Sequence, residues 1–213
     1  EKMPRLSMHY KNHMAFAKAS TCLREIELSL WGNVAYEEFY DLEHHGAKLK
    51  GGFSRVDHKF KIGKYMPESP SFRRLITELP QNSDGIYYRD NIGNISTSAV
   101  FQSSPESPKI VVLDTRYPLY GGWKISFYLG YNVPTEDLLN FNPVDNTYTL
   151  EVDFGIPIRD LWAQDMTIKI ILPEGTTDIS VDAPFNVQQS RTKRFTYLDS
   201  PILDGRNVIV LQK

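Results

Sequence analysis

The sequence predicts a mainly β domain, an antiparallel β-sandwich with one or two short helices. Three observations carry this. Short runs rich in β-branched and aromatic residues recur along most of the 213 residues. Several alternate apolar and polar residues with a period of two: Ile168, Ile170 and Leu172 share a face in "TIKIIL", as do Tyr148, Leu150, Val152 and Phe154 in "NTYTLEVDF". Turn-forming residues separate the runs at the spacing of short strands packed in sheets.

In chain order, residues 23–30 and 34–42 read as strands separated by Trp31-Gly32-Asn33, and Gly51-Gly52 marks the next turn. Residues 63–71 are the least regular and read as a mobile loop. A helix is expected over 69–80. Ser69 caps it and Pro70 takes the first position; Phe72, Leu75, Ile76 and Leu79 follow at i, i+3, i+4 and i+7, and Pro80 ends it. Strands follow at 86–90 and 95–101 around a four-residue turn from Asn91 to Asn94, then at 110–114. Gly121-Gly122 lets the chain double back before a strand at 124–131. Thr135 caps a second, weaker helix over 135–141, with Leu138 and Leu139 facing inward. The remaining strands are 148–154, 166–172, 194–199 and 207–212, with turns at Pro173-Glu174-Gly175 and Asp204-Gly205.

A chain of this length buries roughly 70% of its unfolded surface, so a core needs no metal or disulfide staple. Lys and Arg total 24 against 26 Asp and Glu, a formal charge of −2, without the basic footprint of a nucleic-acid binder. No apolar run approaches the length of about 20 residues that spans a bilayer. The start, "EKMPRLSMHY", has no signal-peptide pattern and no initiating Met, and both ends read as cut from a longer chain. Cys22 is the sole cysteine, which excludes an internal disulfide, and it reads as a small core residue.

The common catalytic patterns are missing: there is no Gly-x-Ser-x-Gly elbow, phosphate loop, His-Glu-x-x-His or Cys-x-x-Cys. Within "DLEHHG", His44 and His45 are adjacent and point to opposite faces of an extended chain, so a solvated strand end is preferred to a metal site. Glu37, Glu38, Asp41 and Glu43 contain the carboxylates a glycosidase would need, but an exposed charged strand face explains them with fewer assumptions. Lys48, Lys50, Arg55, Lys59, Lys61 and Lys64 form a basic stretch suited to anionic lipid or phosphate; protection of an edge strand is preferred. With 12 Tyr, 11 Phe and 3 Trp, aromatics are plentiful; Tyr120 and Trp123 flank the glycine turn in "RYPLYGGWKISFYLGY" and are candidate sugar platforms. Asn94-Ile95-Ser96 fits the N-glycosylation acceptor, a triplet that a chain of this size carries roughly once by chance.

Taken together, "LWGNVAYEEFYDLEHHGAKLKGGFSR", "IYYRDNIGNISTS", "RYPLYGGWK", "GYNVP", "IKIILPEG" and "FTYLDS" resemble, in collinear order, the luminal region of the ribophorin I family. The resemblance runs from about Leu23 to Val210. It is weakest over 200–206 and loose over 1–20.

The resemblance implies a non-catalytic subunit of the eukaryotic oligosaccharyltransferase, held in the endoplasmic reticulum membrane by one span with its β-rich domains in the lumen. No catalytic, cofactor-binding or metal-binding residue is then expected, and no cofactor. Residues 23–213 would be the membrane-proximal luminal domain, and 1–22 the tail of a preceding domain or a linker. Implied partners are the catalytic and other subunits of the complex; the translocon, the ribosome and nascent polypeptide are further ones it allows. Asn94 is implied to carry a glycan. Two other functions are set beside this one: a luminal carbohydrate-binding β-sandwich using Trp123 and nearby Tyr, and a hydrolase using Glu and His between Glu37 and His45.

Overall fold

The computed structural model describes residues 7–8, 15–56, 58, 71–196, 199–200 and 204–213. Among them the strands are β1 Ala17–Leu28, β2 Asn33–His44, β3 Ser71–Leu79, β4 Asp84–Asp90, β5 Gly93–Asn94, β6 Ala99–Phe101, β7 Lys109–Tyr120, β8 Lys124–Pro134, β9 Leu139–Asn142, β10 Thr147–Leu150, β11 Leu161–Glu174, β12 Gln188–Arg194 and β13 Arg206–Gln212. Eight of them form one sheet in the order β12-β13-β11-β1-β2-β8-β4-β5, β3-β7-β6 form a second, and β9-β10 is a separate hairpin. This is the mainly β, sandwich-like architecture expected. Pairing is antiparallel throughout except between β1 and β11, which run parallel, so the large sheet is mixed. β1 starts at Ala17, ahead of Leu23 where the sequence reading begins the domain, and Ala19 and Cys22 are core residues.

Alternation builds the layers. β1 turns Cys22, Arg24, Ile26 and Leu28 inward, and β2 turns Val34, Tyr36, Glu38, Tyr40 and Leu42 inward. Leu75 and Leu79 of β3 and Val111 and Leu113 of β7 belong to the same core, with Val152, Phe154 and Ile156 packed against it. The chain crosses from the small sheet to the large one at Tyr120-Gly121-Gly122-Trp123, where Trp123 N donates to Tyr120 O at 2.8 Å. Gly122 has φ +84°, as the third residue of a type II turn requires. A Cβ on Gly121 would sit 1.7 Å from the carbonyl oxygen of Ala47, so both glycines are needed.

The helix expected over 69–80 is not formed where the chain is described: 71–79 is β3. Leu75, Thr77 and Leu79 are buried in strict alternation, while Ile76 is exposed. The apolar spacing suits a helix, but β7 offers a full-length partner that pairs with this segment from Ser71 to Leu79. Tertiary pairing overrides the local pattern. Ser69 and Pro70 lie outside the described residues, and so does the loop expected over 63–71 except for Ser71, which opens β3. The second expected helix shrinks to a 3-10 turn at Thr135–Asp137, followed directly by β9. The strand expected at 194–199 ends at Arg194 and lies earlier, as β12; residues 197–198 are outside the described set.

An ion pair crosses the core. Arg24 is 3% exposed and Glu38 0%; Arg24 Nε donates to Glu38 Oε1 at 2.9 Å. The hydroxyls of Tyr131 and Tyr40 donate to Oε1 (3.0 Å) and Oε2 (2.5 Å) of the same carboxylate. Arg24 Nη1 donates to the carbonyl of Asp153 at 2.7 Å and also to that of Gly155. Burial is the largest single influence and works against the charged guanidinium, but Glu38 together with the Tyr131 and Tyr40 phenols more than offsets it, and the pKa of Arg24 is raised. The bonds to 153 and 155 lead into a segment that pairs with β3, through a Thr77–Ile158 bridge and an Arg159 N to Ile76 O bond of 2.8 Å. Arg24 thereby fastens the second layer to the first.

Removing one partner of a buried pair strands the other charge. Arg24→Met or Glu38→Ala is expected to cost about 3–5 kcal/mol, a fall in Tm of roughly 6–20 °C. The double variant Arg24→Met/Glu38→Leu is expected to melt above either single variant. Thermal unfolding of the three variants checks this; a double variant no more stable than the worse single one would contradict it.

Candidate functional site

The β4–β5 hairpin is tighter than its sequence suggests. Arg89 pairs with Asn94 and Asp90 with Gly93, leaving Asn91 and Ile92 as the turn. Asp90 closes it: its Oδ1 accepts from the amides of Ile92 (2.9 Å) and Gly93 (3.1 Å). Arg116 of β7 grips the same carboxylate at both oxygens, Nε to Oδ2 at 2.6 Å and Nη2 to Oδ1 at 2.7 Å. These bonds, Arg116 first, hold the Asp90 carboxyl down at about 2.

Asn94 is exposed on β5, the edge strand of the large sheet, followed by buried Ile95 and exposed Ser96. Arg89 Nε donates to Asn94 Oδ1 at 2.6 Å, and the Arg89 guanidinium lies 4.9 Å from the centre of the Tyr87 ring. The carbonyl end of the Asn94 amide is engaged, so the nitrogen is the end turned away from Arg89.

Beside the hairpin, on the outer face of the large sheet, lies an open groove of about 340 Å³ lined by Leu23, Phe39, Tyr128, Asp41, Ser126 and Asn91 among others. The rings of Phe39 and Tyr128 stack with centroids 5.5 Å apart. Asp41 accepts from the hydroxyls of Thr21 and Ser126, both at 2.6 Å, which lower its pKa. In the adjoining row Tyr87 lies flat across Gly130, where a Cβ would meet its ring at 2.0 Å, and reaches Glu37 Oε1 at 3.0 Å.

The acidic group from 37 to 43 is therefore not one exposed face. Glu38 points inward and is wholly buried because β2 alternates, while Glu37, Asp41 and Glu43 point outward. Glu37 serves Tyr87, Asp41 serves Thr21 and Ser126, and Glu43 pairs with Lys124 at 3.4 Å. The sheet itself thus separates Glu38 from the other three. His44 is buried, stacked on Phe72 with its Nδ1 accepting from Gly46 N, whereas His45 is exposed. Among the described residues no group of three or more His, Cys, Asp and Glu side chains is placed to hold a metal ion.

Of the basic stretch, Lys48, Lys50 and Arg55 are exposed and lie in no strand, so they guard no edge; Lys59, Lys61 and Lys64 fall outside the described residues. Trp123 is engaged by Phe53, Tyr120 and Tyr117, all steeply inclined to it at 5.2–6.1 Å. Cys22 is buried in the core, where burial first and Glu38 second push its thiol up to about 12. Sequence reasoning missed the outer groove. Its only signal is that Phe39 and Tyr128 fall at outward positions of strands whose inward positions are already apolar, and the pairing register that joins them is not written in either strand.

The family model described as Ribophorin I matches residues 1–213. Over 206 residues, 97% of this chain and 32% of the relative, the sequence is 42% identical to dolichyl-diphosphooligosaccharide–protein glycosyltransferase subunit 1A of Arabidopsis thaliana. It is 38% identical to the subunit 1 of Caenorhabditis elegans over 98% of this chain and 34% of that one. The chain thus spans about a third of the length of these relatives. Among solved structures, an M1 zinc metallopeptidase from Deinococcus radiodurans aligns with 93% of this chain and 39% of its own, at 11% identity and TM-score 0.46, too low to carry a comparison.

Acid should open the hairpin. The Asp90 carboxyl titrates near 4 when unfolded and at about 2 when folded, so its contribution is complete above the first value and lost as pH falls through the second. Hydrogen-exchange protection of the Ile92 and Gly93 amides is expected to decline between pH 4 and 2. Asp90→Asn is expected to remove that dependence; protection unchanged across the window would contradict the assignment.

Proposed function

Because this chain belongs to the ribophorin I family, we propose that it is a non-catalytic, structural and substrate-presenting part of an oligosaccharyltransferase complex acting in protein N-glycosylation. The observation that carries the reading is the family match across all 213 residues, with relatives named as subunits of that glycosyltransferase. The commitments of the 37–43 carboxylates to neighbouring side chains support a structural role, since each is already engaged in holding strands together. The domain is proposed to be the membrane-proximal one on the luminal side of the endoplasmic reticulum, in a full-length protein anchored by a single span. Its proposed partners are the catalytic and other subunits, with the translocon, the ribosome and the nascent polypeptide beyond them.

Purification of the full-length protein from its host in mild detergent is expected to bring down the catalytic subunit. The isolated domain is expected to leave a dolichol-linked donor and acceptor peptide unreacted. Transfer by the domain alone would overturn the non-catalytic reading.

Asn94 is proposed to be glycosylated. Exposure on an edge strand, the following Ser96 and the Arg89 bond that leaves the amide nitrogen outward all favour it. Host-expressed protein is expected to lose mass on amidase treatment, and Asn94→Gln protein is not. Identical masses before and after treatment of the unsubstituted protein would refute the site.

A further inference from the structure

One line of residues on the outer face of the large sheet leads away from Asn94. Strand register sets it: Asn94 lies opposite Arg89, Arg89 opposite Tyr128, Tyr128 opposite Phe39, and Phe39 opposite Leu23. Residues directly opposite in paired antiparallel strands project to the same side. With neighbouring strands about 4.8 Å apart, Tyr128 stands about 10 Å and Phe39 about 14 Å along the line from Asn94.

We propose that the innermost two sugars of a glycan on Asn94 fold back along this line and rest on the rings of Tyr128 and Phe39. The inference rests on the reading of Asn94 as glycosylated. Two sugar rings laid end to end cover the distance, and the groove begins at the hairpin itself, with Asn91 on its wall. Arg89, the one long side chain between Asn94 and Tyr128, is drawn toward the Tyr87 ring in the neighbouring row while it holds the Asn94 carbonyl. The amide nitrogen is then the atom that faces away from Arg89.

The lining suits a sugar. A pyranose ring has an apolar face of C–H bonds, which complements the negative face of an aromatic ring, and a polar rim. Phe39 and Tyr128 offer two stacked, partly buried rings on this face, and Asp41 with the Thr21 and Ser126 hydroxyls forms a polar margin alongside. Both aromatics occupy outward positions of the central strands β2 and β8, where a solvated sheet face is ordinarily polar. A ligand tethered at the end of the line reaches them at high effective concentration, so individually weak stacking contacts suffice.

The test uses the full-length glycoprotein purified from its host and its luminal domain released with the glycan intact. Mass spectrometry first reads occupancy of Asn94. NMR of the glycosylated domain is then expected to show contacts between the N-acetyl methyl protons of the inner sugars and the ring protons of Tyr128 and Phe39. Amidase release of the glycan from the folded protein is expected to quicken about tenfold in Phe39→Ala, as loss of about 1.4 kcal/mol of contact would give. An occupied Asn94 with no ring contacts, and with release equally fast in both proteins, overturns the platform and leaves the glycosylation reading standing. An unmodified Asn94 overturns both. The NMR arm needs no variant, so a misfolded Phe39→Ala does not protect the proposal.

Discussion

A guanidinium cut off from water must find its hydrogen bonds within the protein, and Arg24 finds them in two separate parts of the chain. Glu38, itself held by the Tyr131 hydroxyl from β8, lies across the β1–β2 pair, and the carbonyls of residues 153 and 155 lie in the opposing layer. Slipping β1 by one residue would carry Arg24 to the outer face and bring Leu23 inward, leaving Glu38 buried without a cation. The pair adds little net stability over a well-packed apolar substitute. Its strength lies in selection: the alternatives in register and in layer closure each leave a bare charge in the core. Tyr40 and Tyr131 share that constraint, since burial and the adjacent Glu38 raise both phenols and keep them as donors.

The two faces of the large sheet follow from this. Inside, the Arg24–Glu38 ion pair sits among aliphatic and aromatic side chains. Outside, charges pair across strands: Glu25 with Lys169 at 3.0 Å and Arg194 at 3.5 Å, and Glu27 with Arg206. These outer pairs are partly solvated and each contributes little. At the far edge β12, "QQSRTKR", is exposed at every position, and its cations discourage another strand from pairing there. Tyr87 over Gly130 and the Phe39–Tyr128 stack are aromatic exceptions on this outer face, and both lie toward the hairpin that carries Asn94.

Much of the fold was legible where alternation was clean. Met166 to Leu172 reads as a strand because Met166, Ile168, Ile170 and Leu172 alternate, and the core uses them that way. The equally clean alternation from Tyr148 to Phe154 is a strand only to Leu150, and Asn207 to Gln212 was legible as a short apolar run, Val208 to Leu211. The Gly121-Gly122 turn was legible because few other residue pairs allow a chain to cross between layers so tightly. Three features were not. β3 carries Phe72, Leu75, Ile76 and Leu79 at helical spacing, and only its pairing with β7 makes it a strand. β12 has no apolar residue to reveal it. Glu38 sits in a run of acids that reads as solvated, and nothing local marks it as the one facing inward; its partner Arg24 is 14 residues away and meets it only once β1 and β2 pair. The hairpin sequon was legible as a pattern, whereas the line of rings leading from it depends on four strands meeting in register.

The reach of Arg24 also sets a schedule. Its carbonyl partners at Asp153 and Gly155 lie 129 and 131 residues further along the chain, and the parallel neighbour β11 begins later still. At about 5–20 residues per second, a ribosome needs roughly 6–26 s to make that intervening stretch. Throughout the interval β1 has one open edge, and its arginine keeps its water. Closure of the two layers is therefore a late event in biosynthesis, and a nascent chain halted before residue 155 would hold a half-built sheet in need of shielding.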